Sequence, residues 1–271
     1  AAAPQQLRHR MSSLRPRVIP CLQLAAGELV KTQRFRDPLY LGDPINAVKL
    51  FNDLECDELV VVDIRASREK REPDYALIEE LAAEAFMPLA YGGGINSIEQ
   101  VRRILAIGIE KVVVGSAAPN GELIPAAARV FGSQSIVAAI DVRKKLLGRR
   151  EVCIRSGTHG LGADPLSYAL RMQELGAGEL FVQSIDLEGA RSGYDLALMR
   201  EISATVEIPV VACGGAGTLE HIRALLQSSA VAAAAAGTMF VLHGRHAAPL
   251  ISYPRPHEIA TLRDLPAEAV R

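Results

Sequence analysis

Small residues and carboxylates stand where a chain could hold an anion. Tyr91-Gly-Gly-Gly-Ile95 and Cys213-Gly-Gly-Ala-Gly217 are glycine-rich turns, and Gly115-Ser116 and Gly237-Thr238 are two further small-residue steps. Each follows a short apolar run. Glycine there lets backbone N–H groups approach an anion, and a helix start just beyond adds a favourable dipole. Gly93, Gly94, Gly115 and Ser116 make one expected phosphate site; Gly215, Gly217, Ala236 and Gly237 make the other. Such glycines also serve simply to form tight strand-to-helix turns. The duplication favours phosphate, and it implies a ligand phosphorylated at both ends. Asp63 and Asp186 close two other runs, placed either to orient lysines and ligand hydroxyls or to form structural salt bridges. His159 reads as a loop histidine within reach of ligand. His243 and His246, three apart, could share a helix face, but with no acidic or cysteine partner they predict no metal site. No cofactor is expected.

The elements that must position these residues alternate regularly. Apolar runs at Arg17–Leu24, Glu58–Ile64, Pro88–Tyr91, Lys111–Gly115, Ile136–Asp141, Glu179–Ser184, Ile208–Cys213 and Ala230–Ala236 lack strict alternation, which suits strands buried on both faces of a parallel sheet. Amphipathic stretches between them include Pro44–Glu55, Pro73–Ala85, Ser97–Ile107, Asp164–Gly176 and Thr218–Ser228. Asp43-Pro44 and Asp164-Pro165 are N-cap and first-turn signals. Eight strands with intervening helices predict an α/β fold, the closed (β/α)8 or TIM barrel, with an open doubly wound sheet as the alternative. The chain also repeats itself. Tyr91/Cys213, Val62/Ile185, Gly115/Gly237 and Gly42/Ala163 head similar stretches at offsets of 122, 123, 122 and 121 residues. The barrel is thus expected to consist of two repeated half-barrels. Arg143–Arg155, with Lys144, Lys145, Arg149 and Arg150 around Leu146-Leu147-Gly148, is expected to interrupt the second copy as a basic hairpin.

The 271 residues match one barrel of roughly 250, expected over residues 15–271 after a disordered extension at 1–14. Apolar residues make up 49% and the net charge is −1, so no global field draws nucleic acid or an acidic membrane. Aromatics are 4% and Trp is absent, against a stacking platform for single strands. No apolar run is long enough to span a bilayer. Cys21, Cys56, Cys153 and Cys213 form no CxxC pair, so reduced thiols and a cytoplasmic location are expected.

Further stretches carry a family resemblance. Arg17-Val-Ile-Pro-Cys-Leu, Asp57-Glu-Leu-Val-Val-Val-Asp63-Ile, Phe131-Gly-Ser-Gln-Ser, Ala139-Ile-Asp141, Gly176-Ala-Gly-Glu179 and Ser192-Gly-Tyr-Asp195 join the two glycine motifs. From about Arg15 to Pro254 the chain resembles the cyclase subunit of imidazole glycerol phosphate synthase, a glutamine-dependent enzyme of histidine synthesis. Lys31-Thr-Gln-Arg-Phe-Arg-Asp-Pro-Leu-Tyr40, Phe86-Met-Pro88, His243-Gly-Arg-His246 and Leu250-Ile-Ser-Tyr-Pro254 are more similar to a side branch, the glycosyl amidation-associated proteins. Membership implies a class I glutaminase subunit as heterodimer partner, with ammonia crossing the barrel. The branch implies acetamidino-sugar synthesis for surface polysaccharide and a sugar amidotransferase as a further partner.

The resemblance also implies site residues. Cyclases use two aspartates as general acid and base, at the ends of the first and fifth barrel strands. Asp141 fills the second position, but Gln23 stands at the first, and a carboxamide cannot take a proton near neutral pH. Gln23 is expected to be either a hydrogen-bonded core residue or a ligand contact. Lys31 matches a mobile active-site lysine, and Glu188 replaces an aspartate with a longer carboxylate. Arg17, Glu58, Lys111 and Glu179 match a charged ring facing the glutaminase, with Gln134 near the same face. Three readings follow: an ammonia-conducting barrel for sugar amidation, a true cyclase, and a stand-alone isomerase of bis-phosphate sugars.

Overall fold

The computed structural model describes residues 17–244 and 246–263; the expected extension at 1–14, and residues 264–271 of the expected barrel, lie outside the described residues. The apolar runs form a closed ring of parallel strands. Its members are β1 (Arg17–Ala25), β4 (Leu59–Asp63), β5 (Leu89–Gly92), β6 (Lys111–Val114), β7 (Ile136–Lys144), β10 (Glu179–Ser184), β11 (Val210–Cys213) and β12 (Ala233–Ala236). Each pairs with the next, β7 pairs with β10, and β12 closes on β1 with Arg17 opposite Ala233. This is the expected (β/α)8 barrel, and the open sheet is excluded.

The strands lack alternation because both faces are buried. One face packs inward, where Ile19, Cys21, Val60, Phe181, Val211, Cys213 and the small Ala233 and Ala235 fill the barrel. The other packs against the helices. On α1 (Pro44–Asp53), for example, Ala47, Val48 and Phe51 are the buried face. The expected caps form. Asp43 accepts from the Asn46 amide ahead of α1, and Asp164 accepts from the Ser167 amide ahead of α6 (Pro165–Glu174). Ser97 and Gln100 make a reciprocal capping box at α4 (Ile98–Ile107). Between these lie α2 (Ala66–Glu69), α3 (Tyr75–Glu84) and α5 (Leu123–Phe131); α7 (Leu196–Thr205), α8 (Leu219–Ser228), the short α9 (Thr238–Val241) and α10 (Pro256–Arg263) complete the layer.

The basic hairpin forms as β7 and β8 (Arg150–Ile154), with Asp141 opposite Cys153, and extends to β9 (His159–Gly160). It does not break the repeat. The first half carries its own hairpin at the same place: β1 continues into antiparallel β2 (Glu28–Gln33) and β3 (Arg36–Gly42), with Gln23 opposite Val30. Each half is therefore a long strand running into a hairpin, followed by three short strands. The Lys31–Tyr40 stretch concealed this hairpin because its turn uses Arg34 and Phe35 at φ 51° and 61°, without glycine. The two histidines do not share a helix face. His243 lies in β13 (Leu242–His243), paired with β14 (Ala248–Pro249), and His246 lies in the turn between.

Candidate active site and charged base

At the N-terminal end of the barrel the structure brings the four expected charges together. Arg17 opens β1, Glu58 precedes β4, Lys111 opens β6 and Glu179 opens β10. The Arg17 guanidinium donates to both Glu58 and Glu179. Lys111 Nζ lies 2.9 Å from Glu58 Oε1 and 3.0 Å from Glu179 Oε2. Two cations and two anions thus alternate around one opening. Burial opposes the Arg17 charge, and Glu179 and Glu58 more than offset it, so its pKa is raised. Gln134 stands outside the ring on the turn before β7, exposed, its amide donating to the Phe131 carbonyl at 3.3 Å. Tyr253, from the branch-like Leu250–Pro254 stretch, braces this end: its hydroxyl donates to the Val18 carbonyl at 2.8 Å and accepts from the Asp57 amide at 3.2 Å.

At the other end Gln23 is held at both ends of its carboxamide. Its oxygen accepts from the Thr32 amide and the Thr32 hydroxyl, each at 2.9 Å, and its nitrogen donates to Glu188 Oε1 at 3.1 Å. Lys31 forms an ion pair with the same Glu188 oxygen and donates to the Thr32 carbonyl at 3.0 Å. All four side chains are buried. Burial draws the Lys31 ammonium down to about 8, against the pull of the Cys21 and Cys213 thiols; the touching Glu188 carboxylate opposes the same drop. This cluster ties the β2–β3 hairpin to the loop after β10. It separates two cavities above the barrel.

The first cavity, about 120 Å³, is lined by Asp141, Gln23, Asp63, Gly93, Gly115 and Ser116 among others. Burial raises Asp141 to about 7, and among the described residues nothing donates to its carboxyl. Such a group exchanges protons near neutrality. Asp63 is committed elsewhere: its Oδ1 accepts from the Arg65 and Ala66 amides and its Oδ2 pairs with Arg71 at 3.4 Å. Asp186 accepts from the Lys144 amide at 2.7 Å. Both carboxylates are thus held by local partners, Asp63 while still lining the cavity. His159 is exposed on β9.

The second cavity, about 510 Å³, lies beside Lys31, Arg34, Arg36, Gly189, Arg191 and Thr238. Gly215, Gly217, Ala236 and Gly237 are not among its described lining residues. The glycines are needed for close packing as well. A Cβ on Gly93, at φ 121°, would lie 2.6 Å from the Asp63 carbonyl oxygen, and one on Gly215 would lie 2.0 Å from that of Gly193. The Gly94 amide donates to Ser67 Oγ at 3.2 Å and the Gly217 amide to His221 Nδ1 at 3.1 Å. Sequence reasoning missed Arg34, Arg36 and Arg191, while Thr238 stood within the Gly237-Thr238 step. The first two were visible as cations in the Lys31–Tyr40 stretch, whereas nothing in the sequence places Arg191 beside them. Among the described residues no helix is long and apolar enough to cross a membrane.

Residues 17–246 match the family model described as histidine biosynthesis protein. A Pseudomonas aeruginosa protein provisionally named imidazole glycerol phosphate synthase subunit hisF2 is 48% identical over 242 residues, covering 89% of this chain and 96% of that protein. A Leptospira interrogans protein, provisionally named imidazole glycerol phosphate synthase subunit HisF, is 47% identical over 243 residues, covering 89% and 96%. The imidazole glycerol phosphate synthase subunit HisF of Trichormus variabilis is 44% identical over 225 residues, covering 81% and 88%. With a closed barrel, a charged base and Asp141 in its mouth, this chain belongs to the imidazole glycerol phosphate synthase cyclase-subunit family.

Proposed function

We propose that this barrel receives ammonia from a class I glutaminase subunit docked at its base and serves a sugar amidotransferase in acetamidino-sugar synthesis, without closing the imidazole ring itself. The observation that carries this reading is the environment of Gln23. Ring closure by the family route needs proton removal and donation on two sides of the intermediate. Asp141 supplies one group; the symmetry-related side chain is a carboxamide already bound to Thr32 and Glu188. The third reading, an isomerase acting alone, has no use for the four-charge ring.

The path is physically reasonable. Above the ring the barrel interior is apolar, lined by Ile19, Val60, Phe181 and Val211 and by the small Ala233 and Ala235. Neutral ammonia crosses such a lining at little cost, whereas ammonium does not. The ring must open for passage, which breaks pairs such as Lys111 with Glu58 and Glu179. Identity supports a branch apart: the provisionally named relatives are 46% to 48% identical, the plainly named ones 41% to 44%.

The cyclase reading stands as the rival because Asp141 has the proton affinity the chemistry needs. An ammonia-dependent cyclase assay on the purified barrel separates the two. Little turnover, together with stimulation of a co-expressed glutaminase, is the expected result. Near-normal turnover would replace the first reading with the second.

A further inference from the structure

The exposed large apolar side chains of this chain are not scattered. Among the described residues, Leu50, Leu54, Phe86 and Val130 lie where α1, α3 and α5 end and feed the next strand, at the end that carries the charged ring. Leu39, Tyr40, Leu146 and Leu250 lie at the opposite end, on the β2–β3 hairpin, at the tip of the β7–β8 hairpin and just after β14. Among the described residues the helix faces between these two ends expose none. Exposed apolar groups gathered at one place mark a contact surface. The base set borders the ring proposed to meet the glutaminase. The mouth set has no partner in that assembly.

The strand that carries Leu39 and Tyr40 is also open along one side. Among the described residues β3 pairs with β2 and with no other strand, and residues 36–40 of it are exposed. An unpaired edge offers its N–H and C=O groups to another chain. The equivalent edge of the second half, β9, is two residues long. Asp37, at φ 49°, and Pro38 interrupt the start of β3 and leave residues 39–42, too short a run for two copies of this chain to pair edge to edge. Leu39 lines the wider cavity with Leu242 and Ala247, so the open edge and the β13–β14 turn share one side of the mouth. Arg34 and Arg36 stand at the head of the same edge, with Asp37 the one acidic side chain beside them in the cavity lining, so charge favours an acidic partner.

We propose that the mouth is a second protein-docking surface, on which the enzyme that consumes the ammonia lays an extended, acidic-flanked segment along the open edge of β3, with Leu39 and Tyr40 as apolar contacts. It rests on the reading that ammonia leaves the barrel for another enzyme. Chemistry then requires contact. In water near neutral pH ammonia takes up a proton and ceases to be a nucleophile, so the acceptor's site must join the mouth with solvent excluded. Strand addition supplies main-chain hydrogen bonds, and the alternating side chains set the register. Because only one half of the barrel has the long edge, the docked enzyme has a single orientation.

The test compares sugar amidation driven by glutamine with that driven by ammonium sulfate, using the full chain, its glutaminase and the sugar amidotransferase. Leu39→Glu with Tyr40→Glu changes two exposed side chains and sets negative charge against the acidic segment. It should lower glutamine-driven amidation by at least about tenfold, and leave ammonium-driven amidation and stimulation of the glutaminase within about twofold. A benzophenone side chain at position 40 should cross-link the amidotransferase, and one at position 86 the glutaminase. This cross-link decides the matter should the double variant also lose glutaminase stimulation. Full glutamine-driven amidation by the double variant would overturn the docking surface alone. So would a position-40 cross-link to a second copy of this chain, to the glutaminase or to no protein. Failure of the unmodified assembly to amidate from glutamine would overturn it together with the ammonia reading.

Discussion

Gln23→Asp puts the carboxylate back at the position where the cyclase pattern has one. The structure predicts that it does not put the chemistry back. The present cluster is neutral, with Lys31 balancing Glu188. Aspartate is one methylene shorter, so it loses the bonds to the Thr32 amide and hydroxyl and stands about 4 Å from Glu188, where two like charges repel by roughly 4 kcal/mol at an effective dielectric of 20. Lys31 cannot fully balance two carboxylates, so the new acid takes up a proton and its pKa rises. Unpaired Thr32 donors and the excess charge together cost about 2–4 kcal/mol. At roughly 2–4 °C per kcal/mol that lowers Tm by about 5–15 °C. A raised acid pKa destabilises more as pH climbs, so the drop should be larger at pH 8 than at pH 5. Gln23→Met, which removes the hydrogen bonds without adding charge, should show a drop that does not vary with pH. In the cyclase assay Gln23→Asp should gain less than about tenfold, against the 100- to 10,000-fold that a well-placed acid or base contributes. A gain of that full size, or a Gln23→Met protein with unchanged Tm, would refute the view that Gln23 holds the hairpin wall.

Three further outcomes are expected. Lys111→Met leaves Glu58 and Glu179 facing each other with Arg17 alone between them, which should cost about 3–5 kcal/mol in thermal unfolding and abolish stimulation of the glutaminase. Asp141→Asn should stabilise the chain at pH 8 by on the order of 2 kcal/mol, since partial exposure to the cavity screens the full penalty. Because burial raises this carboxyl to about 7, folding favours its neutral form; the gain should shrink as pH falls and vanish below the unfolded value near 3.8. Gly215→Ala, whose Cβ would meet the Gly193 carbonyl oxygen at 2.0 Å, should lower Tm sharply, whereas Gly115→Ala, with its nearest neighbour Ala139 Cβ at 3.5 Å, should fold normally and report on anion binding alone.

The barrel was legible because burial on both strand faces leaves continuous apolar runs, and all eight strands begin within three residues of the expected positions. The hairpin after β1 was not, because a turn built on Arg34 and Phe35 carries none of the usual glycine or asparagine signal. The base ring could be read only through the family pattern. Arg17 reaches partners 41 and 162 residues away, and no local spacing encodes such a meeting. Gln23 is the sharper case. Its type announced that a carboxylate was missing, but its partners Thr32 and Glu188 lie on a hairpin and a loop whose approach depends on the closed barrel. Thr238 sat in plain view within a repeated motif, and only its buried hydroxyl, with no partner among the described residues, sets it apart from a residue that merely opens a helix.

The two halves share one plan and have parted in chemistry. Gln23 and Asp141 occupy equivalent places, each in a long strand that runs into an antiparallel hairpin. In the second half the hairpin leaves Asp141 facing a cavity with no donor on its carboxyl, so burial alone sets its proton affinity. In the first half the hairpin folds back, and Thr32 and Lys31 close over Gln23 and Glu188. A carboxylate at Gln23 would add a second buried negative charge beside Glu188; the carboxamide instead donates to that oxygen and accepts from Thr32, satisfying the cluster. The same residue that removes one proton-transfer group therefore stabilises the wall dividing the mouth. The divided mouth offers a small proton-exchanging cavity over the proposed ammonia path and a separate cationic cavity beside it, and the cost of reopening it is set by the Lys31–Glu188 pair.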